Sequence, residues 1–212
     1  MAEVVLYHHV QGLTEGVRSF ADELRQAGHT VHTPDLFDGR TFGTIEEGMA
    51  FAREAGFGAL AERGVAAAQG IGPDVVYAGF SFGVMAAQQL AQTRPGAHGA
   101  LLIDSCLPVS EFGDAWPEGV PVQVHGKEGD PFFAEDLEAA QALVDSTDRA
   151  ELFLYPGDEH LFADSSLPVY DADAATLLTE RVLAFLDAVE AGQSSSAMSA
   201  AARAAPSRST GR

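Results

Sequence analysis

Gly79-Phe80-Ser81-Phe82-Gly83 follows the apolar run Asp74-Val75-Val76-Tyr77-Ala78 and precedes a helical stretch from Val84 to Ala91. A Gly-x-Ser-x-Gly pentapeptide between a strand and a helix forces the serine into a strained turn, with its hydroxyl exposed at the edge of a sheet. Glycines two residues before and two after the serine are needed because side chains there would clash with the adjoining strand and helix. In this setting Ser81 is a candidate nucleophile. The pentapeptide alone also fits a Gly/Ser turn in which Ser81 only caps the helix, so the rest of the chain has to decide.

A serine nucleophile on such a sheet requires an acid and then a histidine later in the chain, each just beyond its own strand at the same sheet edge. Val120-Pro121-Val122-Gln123-Val124-His125-Gly126 reads as a buried strand, and Asp130 follows it in a short loop. Glu151-Leu152-Phe153-Leu154-Tyr155 is the next strand, broken by Pro156-Gly157, with His160 in the loop behind it. Asp130 and His160 are therefore the acid and base candidates. Asp104, at the end of Ala100-Leu101-Leu102-Ile103, is the reserve acid one strand earlier. Asp158 and Glu159 adjoin His160 too closely to orient its ring and are expected to shape the loop. His29, His32, His98 and His125 read as surface or packing residues.

These groups imply acyl transfer through a serine ester. His160 takes the Ser81 proton during attack and returns it to the leaving group, while Asp130 fixes the imidazole tautomer. One oxyanion donor is expected from the Phe82 N–H at the helix N-terminus. The other is expected from the loop His9-Val10-Gln11-Gly12 after the first strand, with the Val10 N–H ahead of Gln11. This chemistry needs no metal and no cofactor.

The chain resembles the dienelactone hydrolase family of α/β-hydrolases. The resemblance runs from about Val4 to Leu186, carried by His8-His9-Val10-Gln11-Gly12-Leu13, Thr33-Pro34-Asp35-Leu36-Phe37, the Ser81 pentapeptide, Gly126-Lys127-Glu128-Gly129-Asp130-Pro131-Phe132 and Tyr155-Pro156-Gly157-Asp158-Glu159-His160. It implies a hydrolase of small esters or lactones. Three positions depart from the family's best-known members. Ser81 stands where they have a nucleophilic cysteine, His9 stands where they have a glutamate, and Asp164 stands where their lactone hydrolases place an arginine for the substrate carboxylate. The first departure implies ordinary serine chemistry; the third argues against a dienelactone substrate.

Strands and helices alternate along the chain. Helices are expected over Thr14 to Ala27, Ile45 to Gln69, Val84 to Ala91, Ala134 to Val144 and Ala172 to Val189, with a short strand over Thr30 to Thr33 and another over Gly99 to Asp104. Six strands alternating with helices predict a mainly parallel, doubly wound α/β sheet: a minimal α/β-hydrolase without antiparallel opening strands. Only Ser105 to Gly119 separates two consecutive strands where larger relatives insert a cap, so an open cleft without a cap domain is expected. Its walls are drawn from Phe37, Arg40, Phe42, Phe80, Phe112 and Trp116, several of which fit a core role equally well. His9, Gln11, Arg40 and Trp116 are the expected substrate contacts, and Arg40 is the cation best placed for an anionic substrate.

At 212 residues, 46% hydrophobic and 20% charged, the chain suits one domain over residues 1–191. A Ser/Ala/Arg tail over 192–212, with Arg203, Arg208 and Arg212 and no acids, is expected to be disordered. The net charge of −19 argues against nucleic acid or anionic membranes as partners. The N-terminus has no basic leader, no stretch is long and apolar enough to span a membrane, and the single cysteine, Cys106, excludes an internal disulfide. A cytoplasmic monomer or small homo-oligomer acting on a small-molecule ester or lactone is expected. An acyltransferase or peptidase using the same groups, and a non-catalytic binder that kept the fold, are the alternatives.

Overall fold

The computed structural model of the protein describes residues 1–204, with side chains described as far as residue 192. Six strands form one sheet: β1 (Glu3–Tyr7), β2 (Thr30–His32), β3 (Val75–Phe80), β4 (Ala97–Ile103), β5 (Val122–Lys127) and β6 (Ala150–Tyr155), in the order β2-β1-β3-β4-β5-β6. Every pairing is parallel, so the sheet expected to be mainly parallel is parallel throughout. The strand order reverses direction between β1 and β3. In a sheet of this kind the crevice outside the carboxyl ends of strands at such a switch point is where ligands bind.

Strand side chains alternate between the two faces, and both faces are covered. Val5 and Tyr7 join Val75, Tyr77, Leu102 and Val124 in one core. There they meet α2 (Ile45–Ala55), α3 (Phe57–Ala67), α4 (Val84–Thr93) and α5 (Phe133–Ser146), through Ala52, Leu60, Leu90 and Leu143. Val4 and Leu6 join Val76, Ala78, Leu101 and Ile103 in the other core, against Val17, Phe20 and Leu24 of α1 (Glu15–Gln26) and Leu178, Val182 and Phe185 of α6 (Ala172–Ala204). Burying each such large apolar side chain stabilises the fold by about 1.5–3 kcal/mol.

Two elements differ from expectation. The helix expected over Ile45 to Gln69 is two helices, broken at Gly56, which takes φ +87°, closes α2 and opens α3. A left-handed residue ends a helix by turning the chain away from the axis, and glycine adopts it without a Cβ clash. The last helix runs on to Ala204 rather than ending at Val189, through Ala-rich sequence that favours helix. Of the expected tail, 192–204 therefore continues α6, and 205–212 lies outside the described residues.

The segment from Asp104 to Pro121 holds only a short 3-10 turn, Val109–Glu111, between β4 and β5. Among the described residues no helix is long and apolar enough to cross a membrane.

Candidate active site

Strand β3 ends at Phe80, Ser81–Gly83 forms one 3-10 turn, and α4 starts at Val84. Ser81 has φ +46°, a left-handed backbone that costs a residue with a side chain about 1–2 kcal/mol. Close approach of backbone explains the flanking glycines. A Cβ on Gly79 would lie 2.5 Å from the Gly83 carbonyl, and one on Gly83 would lie 2.6 Å from the Tyr7 carbonyl oxygen on β1. The turn is thus clamped against the neighbouring strand, with the half-buried Ser81 at its apex.

The loops after β5 and β6 bring the other two groups to that apex. His160 Nδ1–H donates to Asp130 Oδ2 at 2.6 Å, which leaves Nε2 to accept the Ser81 hydroxyl at 2.9 Å. Asp130 is fully buried, and its second oxygen accepts the Phe132 N–H at 2.9 Å. Burial disfavours a charged His160 ring, yet the Asp130 hydrogen bond and the charges of Asp104, Asp130 and Asp136 outweigh it, so the imidazole titrates above its ordinary value. Glu159 is drawn away from the ring: the buried Lys127 donates to it and to Asp171, each at 2.6 Å, which pins the histidine loop to the start of α6.

The reserve acid, Asp104, lies at the end of β4 with φ +60° and a carboxyl buried beside the same pair. The Leu161 N–H lowers its pKa as a backbone donor, but neither oxygen has a hydrogen-bond partner of good geometry among the described residues. Asp130, with both oxygens occupied and one of them on His160 Nδ1, is the better-placed acid.

On the loop after β1, the Gln11 N–H donates to His9 Nδ1 at 3.2 Å, whereas the Val10 N–H has no acceptor among the described residues. His9 itself is wholly buried, with Nε2–H donating to Asp164 Oδ2 at 2.7 Å. Asp164 also accepts from Ser166 Oγ at 2.6 Å and from Thr14 Oγ1. Burial alone would raise the Asp164 carboxyl, but the hydrogen bonds from His9, Ser166 and Thr14 bring it down to about 2.

Several of the other expected contacts are buried and hydrogen-bonded within the protein. Gln11 is 4% exposed and donates to the Phe42 carbonyl; Trp116 is 8% exposed and donates to the Val120 carbonyl at 2.8 Å. Phe37 and Phe80 are core residues. Arg40 is exposed, with its guanidinium 5.0 Å above the Phe51 ring. Cys106 is buried, and burial with the Asp136 charge pushes its thiol up to about 12, far from a reactive thiolate. The five remaining histidines make local contacts: His8 Nε2 accepts the Leu36 N–H, His29 accepts from Ala2 N, His32 meets Glu3, His98 meets Asp74, and His125 is held between Tyr155 and Gln123.

Phe132 was not among the expected contacts. It is 48% exposed, and its ring centroid lies 4.8 Å from that of His160. Its only sequence signal was its place two residues after the acid candidate, where an exposed aromatic beside a loop is easily taken for a helix start.

A parallel sheet wound on both faces, carrying a strained serine between a strand and a helix at the carboxyl edge, defines an α/β-hydrolase. The chain belongs to the dienelactone hydrolase family, whose sequence pattern matches residues 1–190. Solved structures of the same fold include a dienelactone hydrolase-like promiscuous phosphotriesterase from metagenomic libraries, 19% identical, with a TM-score of 0.71 over 89% of this chain and 87% of that one. Thermogutta terrifontis esterase 2, phosphonylated by cyclosarin, is 14% identical, with a TM-score of 0.65 over 89% and 83% of the two chains. The dienelactone hydrolase of Anabaena variabilis is 22% identical, with a TM-score of 0.61 over 86% and 84%. No protein of curated function matches the chain in sequence.

Proposed function

We propose that the protein hydrolyses small carboxylic esters or lactones through an acyl-enzyme on Ser81. The observation that carries this reading is the His160 ring, which bridges the Ser81 hydroxyl at 2.9 Å and the Asp130 carboxylate at 2.6 Å. As Ser81 Oγ attacks the ester carbonyl, His160 Nε2 takes its proton and the ring becomes an imidazolium held by Asp130. The oxyanion is received by the N–H groups of Val10 and Phe82, each worth about 3 kcal/mol to the transition state. His160 then protonates the leaving alcohol, and water repeats the sequence to release the acid.

The position that would hold a substrate carboxylate in lactone hydrolases is here Asp164, 2% exposed and committed to His9. That place offers no cation, which favours neutral esters over dienelactones. The short connection between β4 and β5 favours small substrates that need no lid. Thermogutta terrifontis esterase 2, phosphonylated by cyclosarin, is an esterase on the same fold, which is consistent with this reading.

Turnover of short-chain aryl esters, lactones and thioesters by the wild type, Ser81→Ala and His160→Ala tests the reading. Each substitution is expected to lower kcat by several orders of magnitude with the fold intact, because the two groups act as one unit in proton transfer. Near-wild-type turnover in either variant would refute it. Adding a competing alcohol and analysing products separates hydrolysis from acyl transfer.

A further inference from the structure

Among the described residues, Asp104 is a buried carboxyl beside Asp130 and His160 that the mechanism above leaves without a task. Its carboxyl is 1% exposed, and its one backbone donor, the Leu161 N–H just past His160, lowers its pKa without reaching it in good hydrogen-bond geometry. A buried carboxyl in that state is costly. The backbone beneath it is strained as well, with φ +60°, while its N–H is anchored on the His125 carbonyl at 2.7 Å. Strain and a weakly partnered buried carboxyl persist together where the surroundings impose them, and here the surroundings are His160 and the residue after it. One polar atom from each of Asp104, Asp130 and His160 lies within 4.8 Å of the others.

We infer that Asp104 is a second acid of His160: a positioning residue that faces the imidazole from the end of β4 and supports its cationic form beside Asp130. The inference rests on the proposed roles of Ser81 and His160. When the Ser81 proton reaches His160 Nε2, the new positive charge lies between two carboxyls rather than against one. Burial raises Asp104 to about 7, with the His160 charge pulling it down and the Asp130 charge pushing it up, so it can change its own proton occupancy as the ring becomes charged. The other titratable groups around the pair are Lys127 on β5, Asp136 on α5 and Tyr155 on β6. None of them replaces a carboxylate against the ring: Lys127 is held by Glu159 and Asp171, and Asp136 accepts from Ser105 Oγ and the Cys106 N–H.

The test is a double-mutant cycle on the full-length protein, with kcat/KM for an aryl ester measured across pH. Asp130→Asn is expected to lose about 10²–10⁴-fold. Adding Asp104→Asn to it should cost at least a further tenfold, more than Asp104→Asn costs in the wild type, because the second acid matters most when the first is neutral. The acidic limb should also fall by about one pH unit from Asp130→Asn to the double variant, since removing a nearby carboxylate lowers an imidazole's pKa. Asparagine tolerates the left-handed backbone at this position, and Asp104→Gly, which accepts it freely, serves as the second variant if the amide unfolds the protein. Equal losses in both backgrounds with superimposed acidic limbs would overturn the inference and leave Asp104 a structural residue. Ser81→Ala is measured in parallel. An inactive Ser81→Ala with an additive cycle rejects only the role of Asp104, whereas an active Ser81→Ala rejects the proposed function and this inference with it.

Discussion

His9 and Asp164 are joined inside the protein by a 2.7 Å hydrogen bond from Nε2–H to Oδ2, although 155 residues separate them in the chain. These are two of the three positions at which the sequence departs from the best-known dienelactone hydrolases, and in space they are partners. Because the Gln11 N–H occupies His9 Nδ1, the proton of the neutral ring belongs on Nε2, pointing at Asp164. The contact ties the loop carrying the Val10 N–H to the segment that follows His160. It gives both departures one structural meaning.

Asp164 should give the protein an acid-sensitive increment of stability. Its folded value of about 2 lies below the ordinary 3.8, so the contribution is present in full above about pH 4 and is lost as pH falls toward 2. A shift of this size corresponds to about 2 kcal/mol. Urea unfolding of Asp164→Asn should therefore show a deficit of about 2 kcal/mol at pH 7 that shrinks as pH falls from about 4 toward 2. A deficit independent of pH would mean that the carboxylate charge contributes nothing.

Gly83→Ala should damage both the fold and the site. Its Cβ would meet the backbone oxygens of Tyr7 at 2.6 Å and His8 at 2.7 Å, neither of which belongs to a flexible side chain. Overpacking against backbone costs about 1–3 kcal/mol, and relieving it would move the Ser81 turn away from β1. Gly58→Ala in α3, where nothing lies within 4 Å of the new Cβ, is the control and should be neutral or stabilising by roughly 0.5–1 kcal/mol. Melting temperatures and ester turnover of the two variants distinguish a clamped turn from a tolerant one.

Much of this arrangement is legible in the sequence because it repeats with the strands. Ser81, Asp130 and His160 each follow an apolar run that ends in glycine or polar residues, and the parallel sheet brings those ends to one edge. Depth is less legible. His9 and Gln11 sit in a polar loop, and nothing nearby in sequence shows that Asp164 and Phe42 close over them. Trp116 reads equally well as cleft wall or core until its indole N–H is seen on Val120. Gly56 lies inside a helical pattern that tolerates a glycine, and only the left-handed backbone makes it a break. Asp130 ranks ahead of Asp104 in sequence by its place in a loop behind a strand, and hydrogen-bond occupancy, a tertiary property, separates the two again in the structure.

Phe132→Ala should act on substrate rather than on stability. The ring is 48% exposed and packs beside His160, so its truncation removes apolar surface a bound acyl or alcohol group would cover. KM for aryl esters should rise several-fold, while unfolding free energy stays within about 0.5 kcal/mol of the wild type. A loss confined to kcat would instead assign the ring to holding His160 in place.

The most direct test of Ser81 as nucleophile is intact-protein mass spectrometry after reaction with a fluorophosphonate, followed by peptide mapping. One covalent adduct on Ser81 is expected in the wild type, much slower labelling in His160→Ala, and none in Ser81→Ala. An unlabelled wild-type protein, or an adduct on any other residue, would contradict a serine hydrolase built on Ser81, His160 and Asp130.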